Sequence, residues 1–345
     1  MNTTKIGRSM VSLTIYVGLL FLADTFLRGF YLQLVRLFGI NSIIALGVNI
    51  TNGYTNIFSL GFGGVMLTAA YTSSILTLPI WYKEAALHLP FWLARIQWPF
   101  VPSLLVAAIV AVIASVVLVL PAFRLKGHYF ILTSIGVNVV IANLAENLRS
   151  FTQGAQGLRS IPAFTNTWWV YGILLLTVFF IWRLIHSKFG RALITISKDQ
   201  GLAAVMGINV VRYKIYSFII GSFIVGIGGV LWVHLIVSIN PQVFNLLFVF
   251  EIIAMLAIGG IGTISGAILG AAIVTFFTEL ALPIQEGFSL FSLQVPPLFG
   301  LVNLLMAILL IVIMIYRPDG IMRGKEISYE HISSLFRHFP KLTKK

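Results

Sequence analysis

The chain has 345 residues, 59% hydrophobic and 10% charged, with 23 Lys and Arg against 10 Asp and Glu. A soluble domain carries roughly 25% charged residues, so a mean hydropathy of +0.99 excludes a large soluble core and puts most of the chain in a bilayer. The net charge of +13 does not indicate nucleic acid, because basic residues cluster between apolar runs, and the absence of cysteine rules out disulfides and thiolate metal sites.

Ten apolar segments are predicted, at about 10–27, 32–50, 57–78, 98–120, 128–146, 166–186, 212–236, 248–258, 262–282 and 298–316. The first follows Lys5 and Arg8 as a signal peptide would. No small-x-small cleavage site comes after it, since Phe21 stands two before Ala23, and it is read as an uncleaved span. Segments 128–146 and 248–258 read as short for a crossing of ~20 residues, the second as one arm of a broken or re-entrant helix. The expected fold is all-α, a polytopic integral membrane protein of about eight to ten transmembrane or half-membrane helices.

Between the second and third segments runs GYTNIFSLGFGG, Gly53 to Gly64. Glycine weakens a helix by ~1 kcal/mol relative to alanine. Glycine-rich breaks in both halves of a membrane chain mark places where helices open beside a translocation path, and close packing explains any single glycine equally well. Asn49, Asn52, Gly53, Ser59 and Gly61 are the path or gate candidates here. Asn41 and Asn138, like Asn49 and Asn52, suit interhelical bonding or a polar conduit. The stretch 79–97 mixes Lys83, Glu84 and Arg95 with Trp81 and Trp92, with Trp98 just after it, as at a headgroup interface. Glu146 reads as a solvated end charge beside Arg149.

The most informative polar stretch is SKFGRALITISKDQGLAAVMGINVVRYK, Ser187 to Lys214. Ser197-Lys-Asp-Gln200 has the form of a capping box, with the Ser197 hydroxyl accepting from the N–H of Gln200, and Gly207 supplies a left-handed stop. A helix over about 198–206 follows, with Leu202, Val205 and Met206 on one face. So short a helix is not stable alone in water and must dock on something, its own membrane domain or a partner.

Glu251 lies in the apolar run VFEIIAMLAIGG, where a carboxylate must face protein or water; it is read as path-lining, gating or structural. Just beyond, AIGGIGTISGAILGAA contains Gly260-Ile-Gly262 and Gly266, which has the look of a dinucleotide fingerprint. That motif needs a soluble strand–turn–helix unit, whereas apolar segments flank this one. Its glycines are read instead as a break at Gly259 and Gly260 and a packing face at Gly262, Gly266 and Gly270.

With an intracellular N-terminus, seventeen of the Lys and Arg residues fall inside and six, Arg28, Arg36, Lys83, Arg95, Arg149 and Arg159, outside. That asymmetry predicts both termini in the cytoplasm and an even number of spans. Residues 1–316 are expected to form a single transmembrane domain with the loop 187–214 cytoplasmic, and 317–345 a basic tail along the anionic leaflet. The six histidines show no metal spacing and no arrangement with serine or carboxylate that suggests hydrolysis.

GRALITISKDQGLAAVMGINVVRYKIYSF resembles the cytoplasmic coupling loop of bacterial branched-chain amino-acid ABC transporter permeases of the LivM type. The resemblance extends over nearly the whole chain, through NGYTNIFSLGFGG, LPAFRLKGHYFILTSIG, QGAQGLRSIP, LAIGGIGTISGAILGA and YRPDGI. It implies a multi-pass subunit of the bacterial cytoplasmic membrane, paired with a second, LivH-like permease, two cytoplasmic ATPases and an extracytoplasmic binding protein. Gly190, Arg191, Ser197, Lys198, Asp199, Gln200, Leu202, Ala203, Ala204, Met206 and Gly207 would then couple to an ATPase. The chain holds no GxxxxGK[ST] loop, so it is expected to bind no cofactor itself and to leave ATP and Mg to its partners. Phe62 stands where the family usually has histidine, Gln153 replaces a usual glycine, and the tail is longer than typical; these departures bear on the substrate. The alternatives are a urea or short-amide permease of the same superfamily, or a secondary transporter or channel working alone.

Overall fold

The structure, a computed structural model, describes residues 24, 27–87, 89–124, 128–285, 289–290, 293–294 and 297–322. The predicted first span (apart from its residues 24 and 27), Lys5, Arg8, the side chain of Trp92 and the tail from 323 onward lie outside the described residues.

Deprived of water, backbone N–H and C=O groups pair within their own segment, and the apolar runs accordingly fold as helices. In chain order these are α1 (Phe30–Asn52), α2 (Phe62–Thr77), α3 (Ile80–Ala86), α4 (Phe100–Val119), α5 (His128–Asn147) and α6 (Thr167–His186). They continue as α7 (Lys188–Lys198), α8 (Gln200–Val205), α9 (Val210–Ile236), α10 (Leu246–Gly259), α11 (Ile264–Gln285) and α12 (Leu301–Tyr316), with single turns elsewhere. The two-residue strands Ser289–Leu290 and Leu293–Gln294 are the only ones among the described residues, and the fold is all-α.

Six of the described helices, α1, α4, α5, α6, α9 and α11, are long and apolar enough to cross a membrane, and seven spans result if α2 and α3, bent by 111°, count as one. The segment at 128–146 is therefore not short: α5 has 20 residues, one more than expected, and is long and apolar enough to cross. Helix α10, by contrast, has 14 residues, about 21 Å at 1.5 Å per residue, well under the ~30 Å of a hydrocarbon core.

Helix α1 is the axis of the molecule, with 78% of its apolar window buried against 28% for α6. It has no separate polar face, as suits a helix enclosed by others, and packs on α9, α11, α6 and α10. Near its end it is stitched to α9: Ser217 Oγ donates to the Ile50 carbonyl at 3.0 Å, and Thr51 Oγ1 to the Ser217 carbonyl at 3.4 Å. Ser217 lies two turns into α9, so this end of α1 is close to the polar loop 187–209. Helices α10 and α11 form a tight pair against α1, and α12 lies outside them.

Candidate functional site

Helix α2 starts at Phe62, later than the apolar run at 57, because residues 53–61 are not helical. Irregular backbone survives at membrane depth only inside protein, and Tyr54, Thr55, Ile57, Ser59 and Leu60 are all buried. Asn52 satisfies this loop. Its Oδ1 accepts the Ser59 N–H at 3.1 Å and its Nδ2 donates to the Ser59 carbonyl at 3.3 Å. Ser59 Oγ then accepts from the Gly61 N–H at 3.3 Å, and the Leu60 N–H donates to Ser134 Oγ at 2.9 Å, fixing the loop to α5.

Asn49 joins that loop to the other break. Wholly buried, it accepts the Gly262 N–H on Oδ1 at 2.9 Å and donates from Nδ2 to the Thr263 carbonyl at 2.9 Å. Thr263 caps α11: its Oγ1 accepts from the Gly266 N–H at 3.1 Å and donates to the Gly260 carbonyl at 3.0 Å. Since α11 starts only at Ile264, Gly262 is not on a helix face. It sits in the turn with φ +80°, which corrects its assignment to the packing face.

The packing face is made by Gly266 and Gly270 with Gly259 opposite. A Cβ on Gly259 would collide with the Gly266 carbonyl oxygen, and one on Gly270 with that of Met255. Helices α10 and α11 thus meet backbone to backbone, as small-xxx-small spacing allows.

Helix α10 stops at Gly260, whose φ of +120° no ordinary residue adopts. Its last carbonyls need outside donors, and the turn after α12 provides them. The Ile321 N–H donates to the Ile258 carbonyl at 2.9 Å and the Met322 N–H to that of Gly259 at 3.0 Å. Gly320 fits closely: a Cβ there would lie 2.6 Å from Gly260 Cα. The structure therefore brings Asn49, Asn52, Gly53, Ser59, Gly61, Gly259 and Gly260 into one junction.

Glu251 is apart from that junction but at membrane depth. The Gly63 Cα is flanked by the Phe244 carbonyl, Val249 and Asn138, and Asn138 lies halfway along α5. Glu251 follows Val249 by two residues and is therefore close to the level of the middle of α5. It lines a cavity of about 350 Å³ between α10 and α12, with Asn303, Ala254 and Met306.

In the polar loop, Ser187 Oγ caps α7 by accepting from the Gly190 N–H at 3.2 Å. Helix α7 buries Gly190, Ala192, Leu193 and Ile196 and runs through Ser197 and Lys198. Ser197 therefore caps nothing: its Oγ donates to the Ile194 carbonyl at 2.8 Å. The cap of α8 is Asp199, in extended conformation, accepting from the N–H groups of Gly201 at 2.7 Å and Leu202 at 3.1 Å. Gln200 Oε1 accepts from Lys214 Nζ at 3.1 Å rather than closing a capping box. Helix α8 is thus shorter than the predicted 198–206. Gly207 does supply the stop, with φ +81°, and the Ile208 N–H reaches the Ala203 carbonyl at 3.0 Å. Ala203 is buried and faces the protein, whereas Leu202, Val205 and Met206 are 56%, 88% and 68% exposed. Arg191, Lys198 and Ala204 are exposed as well.

Sequence reading passed over Ser134, Thr263 and Gly320, although a threonine just ahead of ISGAILG is itself a helix-start signal. It also gave no serine partner to His234. Ser73 Oγ lies 2.9 Å from His234 Nε2, while Nδ1 faces the Pro162 carbonyl at 2.7 Å. Both side chains are fully buried, and the third partner is a backbone oxygen, so the pair ties α2 to α9 rather than serving hydrolysis. Asn41 acts likewise, donating to Thr275 Oγ1 of α11 at 2.8 Å.

Comparison with known proteins gives this geometry a context. Residues 30–315 match the family model for the permease component of branched-chain amino acid transport systems. The chain is 25% identical over 314 residues to the high-affinity branched-chain amino acid transport system permease protein LivM of Salmonella typhimurium, covering 81% of this chain and 67% of that protein. It is 25% identical to a probable LivM permease of Methanocaldococcus jannaschii, over 65% of this chain and 68% of that one. A LivH permease of Escherichia coli is 23% identical, over 68% and 79% of the two chains. No solved structure matches.

Proposed function

The chain belongs to the branched-chain amino acid transport system permease family, and from that premise we propose that it is a membrane-spanning subunit of an ATP-driven importer. Its substrate is a branched-chain or related small amino acid, delivered by an extracytoplasmic binding protein and moved by alternating access. The relatives' names support the substrate class; urea and short amides are the nearest competitors. A second permease and two cytoplasmic ATPases, which hold the ATP and Mg, complete the assembly in the cytoplasmic membrane, with both termini of this chain inside.

One observation carries this reading: α8 is stopped and capped at both ends, yet turns Leu202, Val205 and Met206 outward. An apolar face on a six-residue helix is stable only when something covers it. The loop around it is basic, which supports a cytoplasmic position and an ATPase cleft as the cover. The junction of Asn49, Asn52, Gly53, Ser59, Gly61, Gly259 and Gly260 is the place where helices break and can reorient, and Glu251 lines the path.

The test is reconstitution of the full complex and measurement of binding-protein-dependent leucine uptake. Uptake that persists in vesicles without the ATPases would overturn the proposal and favour a secondary transporter. Leu202→Asp with Met206→Asp should release the ATPases on purification; a complex that survives both changes refutes the coupling role.

A further inference from the structure

Helices α2 and α5 run side by side in the same direction, away from the buried junction. At its start the Leu60 N–H is bonded to Ser134 Oγ at 2.9 Å. One turn on, α5 lies against Gly63 and Gly64: a Cβ there would come within 2.8 Å of Asn138 Oδ1 and 2.6 Å of Ile141. Two turns further along α2 stands Tyr71, on which the charge of Glu146 of α5 acts. From Ser134 to Glu146 the seam rises about 18 Å, at 1.5 Å per residue. The loop ahead of α10 lies along it. Gln242 Nε2 donates to Glu146 Oε1, and the carbonyl of the buried Phe244 faces Gly63.

This close fit strands two polar atoms. Tyr71 Oη and Asn138 Oδ1 are buried and have no hydrogen-bond partner among the described residues, on side chains of residues only 5% and 4% exposed. Such atoms make closure unfavourable, and a seam built to stay shut would carry apolar side chains at both positions. Water would satisfy both if the helices parted.

We propose that the α2–α5 seam is a gate, closed in this structure, that opens to water from the Glu146 end and is held shut by the Gln242 contact. The inference rests on the reading of this chain as a transport subunit. With both termini inside, the Glu146 end faces the outside and the other end meets the junction of Asn52, Ser59 and Gly61. Opening gives Tyr71 and Asn138 the hydrogen bonds that closure denies them, which narrows the gap between the two states. The Gln242–Glu146 bond acts in the other direction, since it must break before the loop lifts away.

The chain contains no cysteine, so single cysteines report access to the seam. Ile141→Cys and the small-for-small Ala145→Cys place a thiol on the buried face of α5, and Ala107→Cys is the control, buried on α4. The intact complex in right-side-out membrane vesicles is treated from outside with a membrane-impermeant maleimide, and labelling of this chain is followed by mass. Labelling at 141 or 145 should quicken during ATP-driven leucine uptake, while labelling at 107 stays slow. In the same backgrounds at rest, Gln242→Ala should quicken labelling by about fivefold, the weight of one hydrogen bond. Tyr71→Phe removes only the stranded hydroxyl, and should slow labelling during uptake by about fivefold or more without lowering the melting temperature. A lower melting temperature with labelling as fast as in the parent would make Tyr71 merely structural and overturn its role in the gate. Uptake with labelling unchanged at both seam positions, or quickened equally at 107, overturns the gate and leaves the functional reading intact. Absence of ATP-driven uptake overturns that reading instead, and Gln242→Ala at rest still decides the gate: labelling no faster than in the parent refutes it.

Discussion

The main-chain N–H of Gly262 donates to Oδ1 of Asn49 at 2.9 Å, across 213 positions of sequence. With the return bond from Asn49 Nδ2 to the Thr263 carbonyl, one buried side chain closes the break after α1 onto the break between α10 and α11. An amide can do both, since it offers a donor and an acceptor on separate atoms.

Asn49→Leu leaves a buried N–H and a buried carbonyl without partners, at roughly 1–3 kcal/mol each. The purified variant is expected to melt at a clearly lower temperature than the parent. Asn49→Asp can still accept from Gly262 but cannot donate to Thr263, and in that site the charge must also be buried; its melting temperature should fall at least as far. A melt unchanged in both variants would show that the junction is held by other contacts.

The glycines separate into two kinds, and substitution should reveal them. At Gly270 an added Cβ meets the Met255 carbonyl oxygen, whereas at Gly172 and Gly136 it meets nothing within 4 Å. Gly270→Ala forces α10 and α11 apart and is expected to abolish a stable purified protein or lower its melting temperature strongly. Gly172→Ala and Gly136→Ala gain helix propensity of ~1 kcal/mol and should be neutral or stabilising in the same melt. Equal effects at all three sites would mean that helix spacing does not govern this pair.

Much of the bundle was legible because span length and hydropathy are local properties. The runs at 32–50 and 212–236 became Phe30–Asn52 and Val210–Ile236, three ends shifted by two residues and the fourth unchanged. What escaped was whatever depends on a distant partner: the tie from Asn49 to Gly262, the contact between His234 and Ser73, and the docking of Gly320 on Gly260. Gly262 was misplaced because spacing of four says which residues share a face only once the helix start is known, and Thr263 sets that start. Ser197 reads as a cap in the sequence because both it and Asp199 stand ahead of α8. A short window cannot show that α7, capped by Ser187, is still running at Ser197.

That last point is open to direct test. Asp199→Ala removes the acceptor for two N–H groups of α8 and should cost about 0.5–2 kcal/mol locally. Hydrogen exchange at residues 201–206 should quicken by about two- to thirty-fold, since 1.4 kcal/mol is one decade. Ser197→Ala should leave those amides unaffected. The opposite pattern would restore the serine cap.

The turn after α12 gives the final prediction. Ile321 and Met322 donate to the last carbonyls of α10 at 2.9 and 3.0 Å, so this turn closes the helix that stops at Gly260. A chain ending at Met322 keeps both donors and should melt like the full-length protein. One ending at Tyr316 leaves the carbonyls of Ile258 and Gly259 bare, at about 1–3 kcal/mol each if buried, and should melt lower. Gly320→Ala places a methyl group 2.6 Å from the Gly260 Cα and forces a residue with a side chain into φ +75°, so in the full-length chain it should reproduce the shorter truncation. Because Gly260 also borders Thr263, which caps α11, the loss should spread to the start of that helix. Faster hydrogen exchange at 264–268 in the Tyr316 truncation, but not in the Met322 truncation, is the expected signature. Equal exchange in the two truncations would show that the turn lies on the junction without stabilising it.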